Sequence, residues 1–218
     1  MANPTGLTHN DPMNLRTLAR EERTDLAAFL ETLSPEDWET PSLCEGWRVR
    51  DVIAHAISFD EIGLRGHVER FARGRLNPNR INAIGHAEYA GREPEELIAI
   101  LRSNLDPSGF PAAFGGMIGF ADGLIHHQDI RRPLGRPREI PAERLRPALS
   151  VALFAPVLLG VLRVRGLRME AADLDWSFGR GPVVRGPGEA LLLTIAGRSG
   201  VVEELEGEGQ PILAARVG

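Results

Sequence analysis

Residues 113–132, AFGGMIGFADGLIHHQDIRR, carry apolar side chains at Phe114, Met117, Ile118, Ala121, Leu124 and Ile125. This is the i, i+3, i+4, i+7 spacing of one helical face. The following RRPLGRP stops the helix, because proline has no amide hydrogen and clashes with the preceding turn. The same periodicity recurs N-terminal to this stretch. Leu15, Leu18, Ala19, Leu26, Phe29, Leu30 and Leu33 predict a helix over 14–33 with a start at Asp11-Pro12. Val49, Val52, Ile53, Ala56, Leu64, Val68 and Phe71 predict a second over 49–72, and 94–104 reads as a third. Between them, residues 74–94 have Gly, Asn and Pro at intervals and read as an irregular excursion with one short helix at the lip of a cleft. Four helices with one apolar side each make a bundle.

Beyond GRPREIPAE the pattern changes. A buried helix is expected over 143–164, kinked at Pro147 and Pro156. LRMEAADLDWSF and PVVRG then read as short strands, GEALLLTIAG as a buried helix and PILAARV as a closing strand. The expected class is therefore α+β, with a helical bundle over 1–138 and a small α+β unit over 139–218. With 43% hydrophobic and 25% charged residues, 218 residues suffice for a sizeable core. The net charge is −5, and the cations, all arginine, are interleaved with carboxylates, which argues against a nucleic-acid partner. No run approaches the roughly 20 apolar residues of a bilayer span, and the first residues lack the layout of a signal peptide. A cytoplasmic chain without a membrane partner is expected. A single cysteine, Cys44, excludes an internal disulfide and a Cys-rich zinc module.

On a helical wheel His55 falls beside Val52, Phe59 and Ile62, at the flank of the apolar arc. Asp122 and His126 are four apart and share a face, with Asp129 one turn further along, whereas His127 points elsewhere. Inward positions on neighbouring helices commonly build ligand sites in bundles. His55, Asp122 and His126 form a His, His, carboxylate set that suits Zn²⁺ and leaves a fourth position open. Spacing alone leaves a second reading open, in which His55 is a hydrogen-bonded core residue and Asp122 only orients His126. Asp129 is expected to support a ligand or to meet an arginine near the helix end, and His67, His86 and His127 to lie at the surface. Cys44 sits ahead of a helix N-terminus, which can lower a thiol pKa, but reads first as a small packed loop residue. The glycine pairs lack the context of a phosphate loop, and neither Ser42 nor Ser58 sits in a nucleophile elbow.

Three segments carry a resemblance: DWETPSLCEGWRVRDVIAHA (37–56), DGLIHHQDIRRPLG (122–135) and WSFGRGPVVRGPGEALLLTIAGR (176–198). In order, they resemble the landmark segments of the mycothiol-dependent maleylpyruvate isomerase family of actinobacteria. The resemblance implies a DinB-like metal-binding four-helix bundle followed by a C-terminal domain similar to sterol-carrier proteins. His55 matches the histidine of the family's first landmark helix, and Asp122 and His126 match its acidic residue and histidine four apart. Arg198 matches an arginine implicated in catalysis. One departure is Asp122, where the family's isomerase has a glutamate. The implied function is a metal-dependent enzyme, with zinc as the metal, that uses mycothiol or a similar low-molecular-weight thiol to isomerise a small electrophilic substrate or to transfer sulfur to it. In such an enzyme Arg198 would pair with a substrate carboxylate or a developing enolate. Two other classes stay open: a metal-dependent hydrolase with Asp129 as base, and a non-catalytic protein whose cleft takes a small apolar ligand.

Overall fold

The computed structural model describes residues 14–155 and 158–217. The start expected at Asp11-Pro12 and the kink expected at Pro156 lie outside these residues. Helix α1 (Leu15–Leu30) begins at Asn14, whose side chain accepts the Arg16 amide at 3.0 Å. A short α2 (Pro35–Trp38) and a loop lead to α3 (Val49–Ile57), α4 (Leu64–Arg73), α5 (Pro78–Tyr89), α6 (Pro94–Ser103) and α7 (Ala113–Arg131). Both α1 and α3 pack on α6 and α7, which closes a four-helix ring. Its core holds Leu26, Leu30, Val52, Ile53, Ile57, Leu97, Leu101 and Ile130. Burying each such side chain contributes about 1.5–3 kcal/mol.

Three expectations for this half need correction. The helix expected over 49–72 is two, because Asp60 turns inward to meet Arg23 Nη1 at 2.8 Å and Gly63 restarts the chain as the cap of α4. Arg23 is buried, and a buried guanidinium needs a counter-charge. The excursion over 74–94 is largely helical: Asn77-Pro78, read as a breaker, is the cap and first residue of α5, and the Asn77 side chain accepts the Arg80 amide at 3.2 Å. Lastly, α7 is buried almost all round from Ile118 to Ile130, including His126, His127, Gln128 and Asp129. It lies between the bundle and the C-terminal unit, so its polar residues must pair within the protein. Before its regular turns, Phe114, Gly115 and Gly116 are left-handed, and a Cβ on Gly116 would come within 2.8 Å of the α1 backbone at Arg16.

The C-terminal unit opens with α8 (Ala142–Phe154), which runs through Pro147, and α9 (Gly160–Arg163). Strands β1 (Arg168–Ala171), β2 (Ser177–Gly179) and β3 (Val183–Gly186) form a sheet of order β2-β1-β3, with β1 antiparallel to β2 and parallel to β3. Helix α10 (Gly188–Ile195), a 3-10 helix (Ser199–Glu204) and α11 (Gln210–Val217) complete it. The closing strand expected at PILAARV is therefore a helix. The free edge of β3 is already occupied: Arg185 and Glu206 exchange amide bonds of 2.8 Å, and the Gly209 amide reaches the Val183 carbonyl at 2.8 Å. With no edge to pair, the segment docks by Leu213, and Arg216 caps the carbonyls of Arg163 and Arg165. The core of this unit is continuous with Leu18, Ala19, Phe120, Leu124 and Ile125 of α1 and α7.

Candidate metal centre

The loop before α3 is tied down at both ends. The Ser42 amide and hydroxyl donate to the Trp47 carbonyl at 2.8 and 2.9 Å, Gly46 turns the chain at φ +76°, and the Leu43 amide donates to the Asp129 carbonyl of α7 at 3.0 Å. This sets Cys44 and Trp47 against α7 immediately before α3 brings in His55. The Trp47 ring lies 5.1 Å from the His55 ring and 6.3 Å from that of His126, between centroids.

His55, Asp122 and His126 converge from α3 and α7, each with one ligand atom within 4.8 Å of the other two. Asp122 Oδ1 lies 3.5 Å from His55 Nε2 and 3.4 Å from His126 Nε2. A charge-assisted hydrogen bond would be near 2.8 Å, whereas two donors about 2.1 Å from one tetrahedral ion stand roughly 3.4 Å apart. The spacing suits a shared ion better than direct pairing. The imidazoles are nearly buried, and Asp122 keeps 31% of its side-chain surface, so the group opens on its carboxylate side. Burial would raise the Asp122 pKa, but the neighbouring rings of His126, then of His55, hold it well below the usual carboxylate range. Burial lowers the His126 pKa, and Asp122, with Asp129 and Cys44 behind, reverses this and raises it well above an ordinary histidine.

Behind His126 lies a second layer. His126 Nδ1 donates to Asp129 Oδ2 at 2.9 Å, so that a neutral ring would turn the lone pair of Nε2 toward Asp122 and His55. Asp129 has no exposed side-chain surface and takes both arms of Arg198, Nε to Oδ1 at 2.8 Å and Nη2 to Oδ2 at 2.5 Å. The Cys44 thiol donates to the same Oδ2 at 3.2 Å. Burial would raise the Asp129 pKa, and the hydrogen bonds from Arg198 and His126 lower it to about 2. Asp129 thus meets both His126 and an arginine, the two contacts its spacing had left as alternatives. Arg198 meets it from just beyond α10, far along the chain. Neither the Cys44 contact nor that of Trp47 has a periodic signal in the sequence, since both come from a loop.

His67, His86 and His127 are not the surface groups expected. His127 is fully buried on the opposite side of α7: Nδ1 donates to Glu22 at 2.7 Å, and Nε2 accepts from Arg131 at 2.8 Å. Burial pushes its pKa down to about 4 against the hydrogen bond to Glu22, with Arg138 and Arg131 adding to the fall. His67 donates from Nδ1 to the Gly63 carbonyl at 3.0 Å and accepts the Phe110 amide at 3.2 Å. His86 is half-buried on α5, 4.3 Å from Trp47 between ring centroids.

Residues 19–108 match the profile of the mycothiol maleylpyruvate isomerase N-terminal domain, a span that includes His55 but not Asp122, His126 or Arg198. No curated protein matches the sequence. The fold is similar to the crystal structure of the mycothiol-dependent maleylpyruvate isomerase, with a TM-score of 0.60, 18% identity, and 93% of this chain and 95% of that chain covered. A histidine-to-alanine mutant of that isomerase matches with a TM-score of 0.62 at the same identity and coverage. At this identity the likeness is one of fold. Among the described residues no helix is long and apolar enough to cross a membrane.

Proposed function

We propose, from the match of residues 19–108 to the mycothiol maleylpyruvate isomerase N-terminal domain, that the chain is a metal-dependent enzyme using mycothiol or a similar low-molecular-weight thiol on a small electrophilic substrate, as an isomerase or an S-transferase. The observation that carries the metal is the spacing of 3.4 and 3.5 Å from Asp122 Oδ1 to two imidazole nitrogens. His55, Asp122 and His126 would hold the ion, with zinc the metal best suited to two imidazoles and a carboxylate. When bound, the ion would favour the cosubstrate sulfur as its thiolate, the form that adds to an activated double bond; rotation and elimination would then give an isomer, and retention of the adduct a transferase product.

In this proposal residues 1–138 are the metal-binding bundle and 139–218 the unit that brings Arg198 to it. Asp129 keeps the His126 proton on Nδ1 and the ring in one orientation. Trp47 walls both imidazoles and keeps water from that side. Arg198 acts chiefly by fixing Asp129; Nη1 donates one hydrogen to the Ala196 carbonyl at 3.4 Å and has its second left to meet a substrate carboxylate or enolate. The hydrolytic alternative has less support, because Asp129, the base it needs, already accepts from His126, Arg198 and Cys44. The test is a panel of low-molecular-weight thiols with unsaturated electrophilic acids on zinc-loaded protein. Product that forms only with both zinc and thiol is expected; metal-dependent turnover indifferent to thiol would overturn the thiol assignment.

A further inference from the structure

We infer that residues 107–111 form a strap at the rim of the metal centre, and that His67 is the positioning residue that holds it. The inference rests on the metal reading for its purpose, but the latch itself can be tested without metal. The strap reads PSGFP, and its two prolines carry no amide hydrogen. Its ends are tied by other groups: the Pro111 carbonyl accepts the Gly119 amide of α7 at 2.9 Å, the Ser108 hydroxyl donates to the Asp60 carbonyl at 3.0 Å, and Arg16 Nη2 donates to the Pro107 carbonyl at 3.4 Å. A Cβ on Gly119 would come within 3.1 Å of Pro107 Cγ and of the Pro111 carbonyl oxygen, so the strap lies directly on that turn of α7. Positions 119 and 122 are one turn apart on the same side of the helix, about 5–6 Å between Cβ positions. Asp122 is the ligand on the open side of the centre. On the other flank the Phe110 ring lies 6.0 Å from that of Phe59, which stands 5.8 Å from the His55 ring. The strap thus runs from the turn before one proposed ligand to the ring beside another.

The middle of the strap is held by His67 of α4. The Gly63 carbonyl can only accept, so its 3.0 Å contact puts the ring proton on Nδ1. The Phe110 amide can only donate, and at 3.2 Å it takes the lone pair of Nε2. One ring therefore engages its own helix with one nitrogen and, with the other, a segment 43 residues away. Gly109 lies close against the ring: at φ +55°, a Cβ there would come within 2.7 Å of His67 Cε1. His67 is buried and Gly109 is exposed, so the strap is the cover and the ring its seat. Without the Nε2 acceptor the strap stays tied at its ends, and the span at Gly109 and Phe110 is released to lift.

The experiment measures amide hydrogen exchange at Phe110 on metal-free protein, and the rate at which excess EDTA removes zinc from loaded protein. It compares wild type, His67→Asn, His67→Gln and Gly109→Ala. Asparagine keeps a donor near Gly63 without an acceptor for Phe110, and glutamine places an acceptor where Nε2 stood. Gly109→Ala leaves His67 in place and pushes the strap off the ring from the other side. In His67→Asn and Gly109→Ala, Phe110 exchange and zinc release should each be about tenfold faster, the effect of one lost hydrogen bond. Zinc affinity at equilibrium should be unchanged, which separates a cover from a support for the ligands, and His67→Gln should recover both rates. Wild-type exchange at Phe110 in His67→Asn would overturn the latch, and wild-type zinc release despite faster exchange would overturn the strap's place at the rim. If wild type takes no zinc while Phe110 exchange still follows residue 67, the latch stands and the metal reading falls.

Discussion

At the scale of single residues, Asp122 decides how the centre is built. Its Oδ1 is nearly equidistant from His55 Nε2 and His126 Nε2, so a change of charge and a change of reach should act differently. Asp122→Glu keeps the charge and should retain zinc. Asp122→Asn makes the site one charge more positive and replaces a carboxylate by a weaker amide ligand. Isothermal titration should show it weaker by at least about tenfold, the loss seen even for outer partners of a metal. Equal affinity in wild type and Asp122→Asn would make the carboxylate a neighbour and not a ligand. This trio was legible in the sequence because a helix turns spacing into direction: the step of four from Asp122 to His126 fixes a shared face, and the apolar arc around His55 fixes its flank. Trp47 was not legible, since a loop brings it in.

At the scale of elements, the opposite face of α7 is tied to α1 and α8 through Glu22. This fully buried carboxylate meets His127, Arg138 and Arg144. Burial works to raise its pKa, and the hydrogen bond from His127 with the charge of Arg138 outweighs that and lowers it to about 2 from 4.5. A depressed carboxylate contributes stability that is fully present above its unfolded pKa and is lost as pH falls through the folded one. Stability from Glu22, on the order of 3 kcal/mol, should therefore disappear between pH 4.5 and about 2. Glu22→Gln should be less stable than wild type at neutral pH and lose less on acidification, as followed by urea melts across that range. Parallel pH profiles would contradict this role. Periodicity found the helices of the bundle ring, but it could not see that an inward Asp60 would divide 49–72 or that Glu206 would occupy the edge of β3. Both outcomes depend on partners distant in sequence.

At the scale of the whole molecule, the C-terminal unit shares a core with α1 and α7 and sends Arg198 across to Asp129. This contact links α10 to the bundle, and no local pattern announced it; only the resemblance pointed to Arg198. Arg198→Ala would take the arginine from the buried Asp129 carboxylate and leave it only His126 and Cys44, and should cost about 3–5 kcal/mol. Arg198→Lys keeps the charge without the two-armed grip. It should hold zinc nearly as wild type does but lower kcat/KM with an identified substrate by at least about tenfold, about 1.4 kcal/mol; wild-type turnover would remove Arg198 from the mechanism. The account as a whole turns on whether His55, Asp122 and His126 hold an ion. Its most direct test is the zinc content of purified, zinc-loaded protein by elemental analysis, in wild type, His55→Ala and His126→Ala. About one zinc per chain is expected in wild type, and most of it should be missing from each variant, because two remaining ligands hold zinc poorly. Full occupancy in both variants would contradict the account.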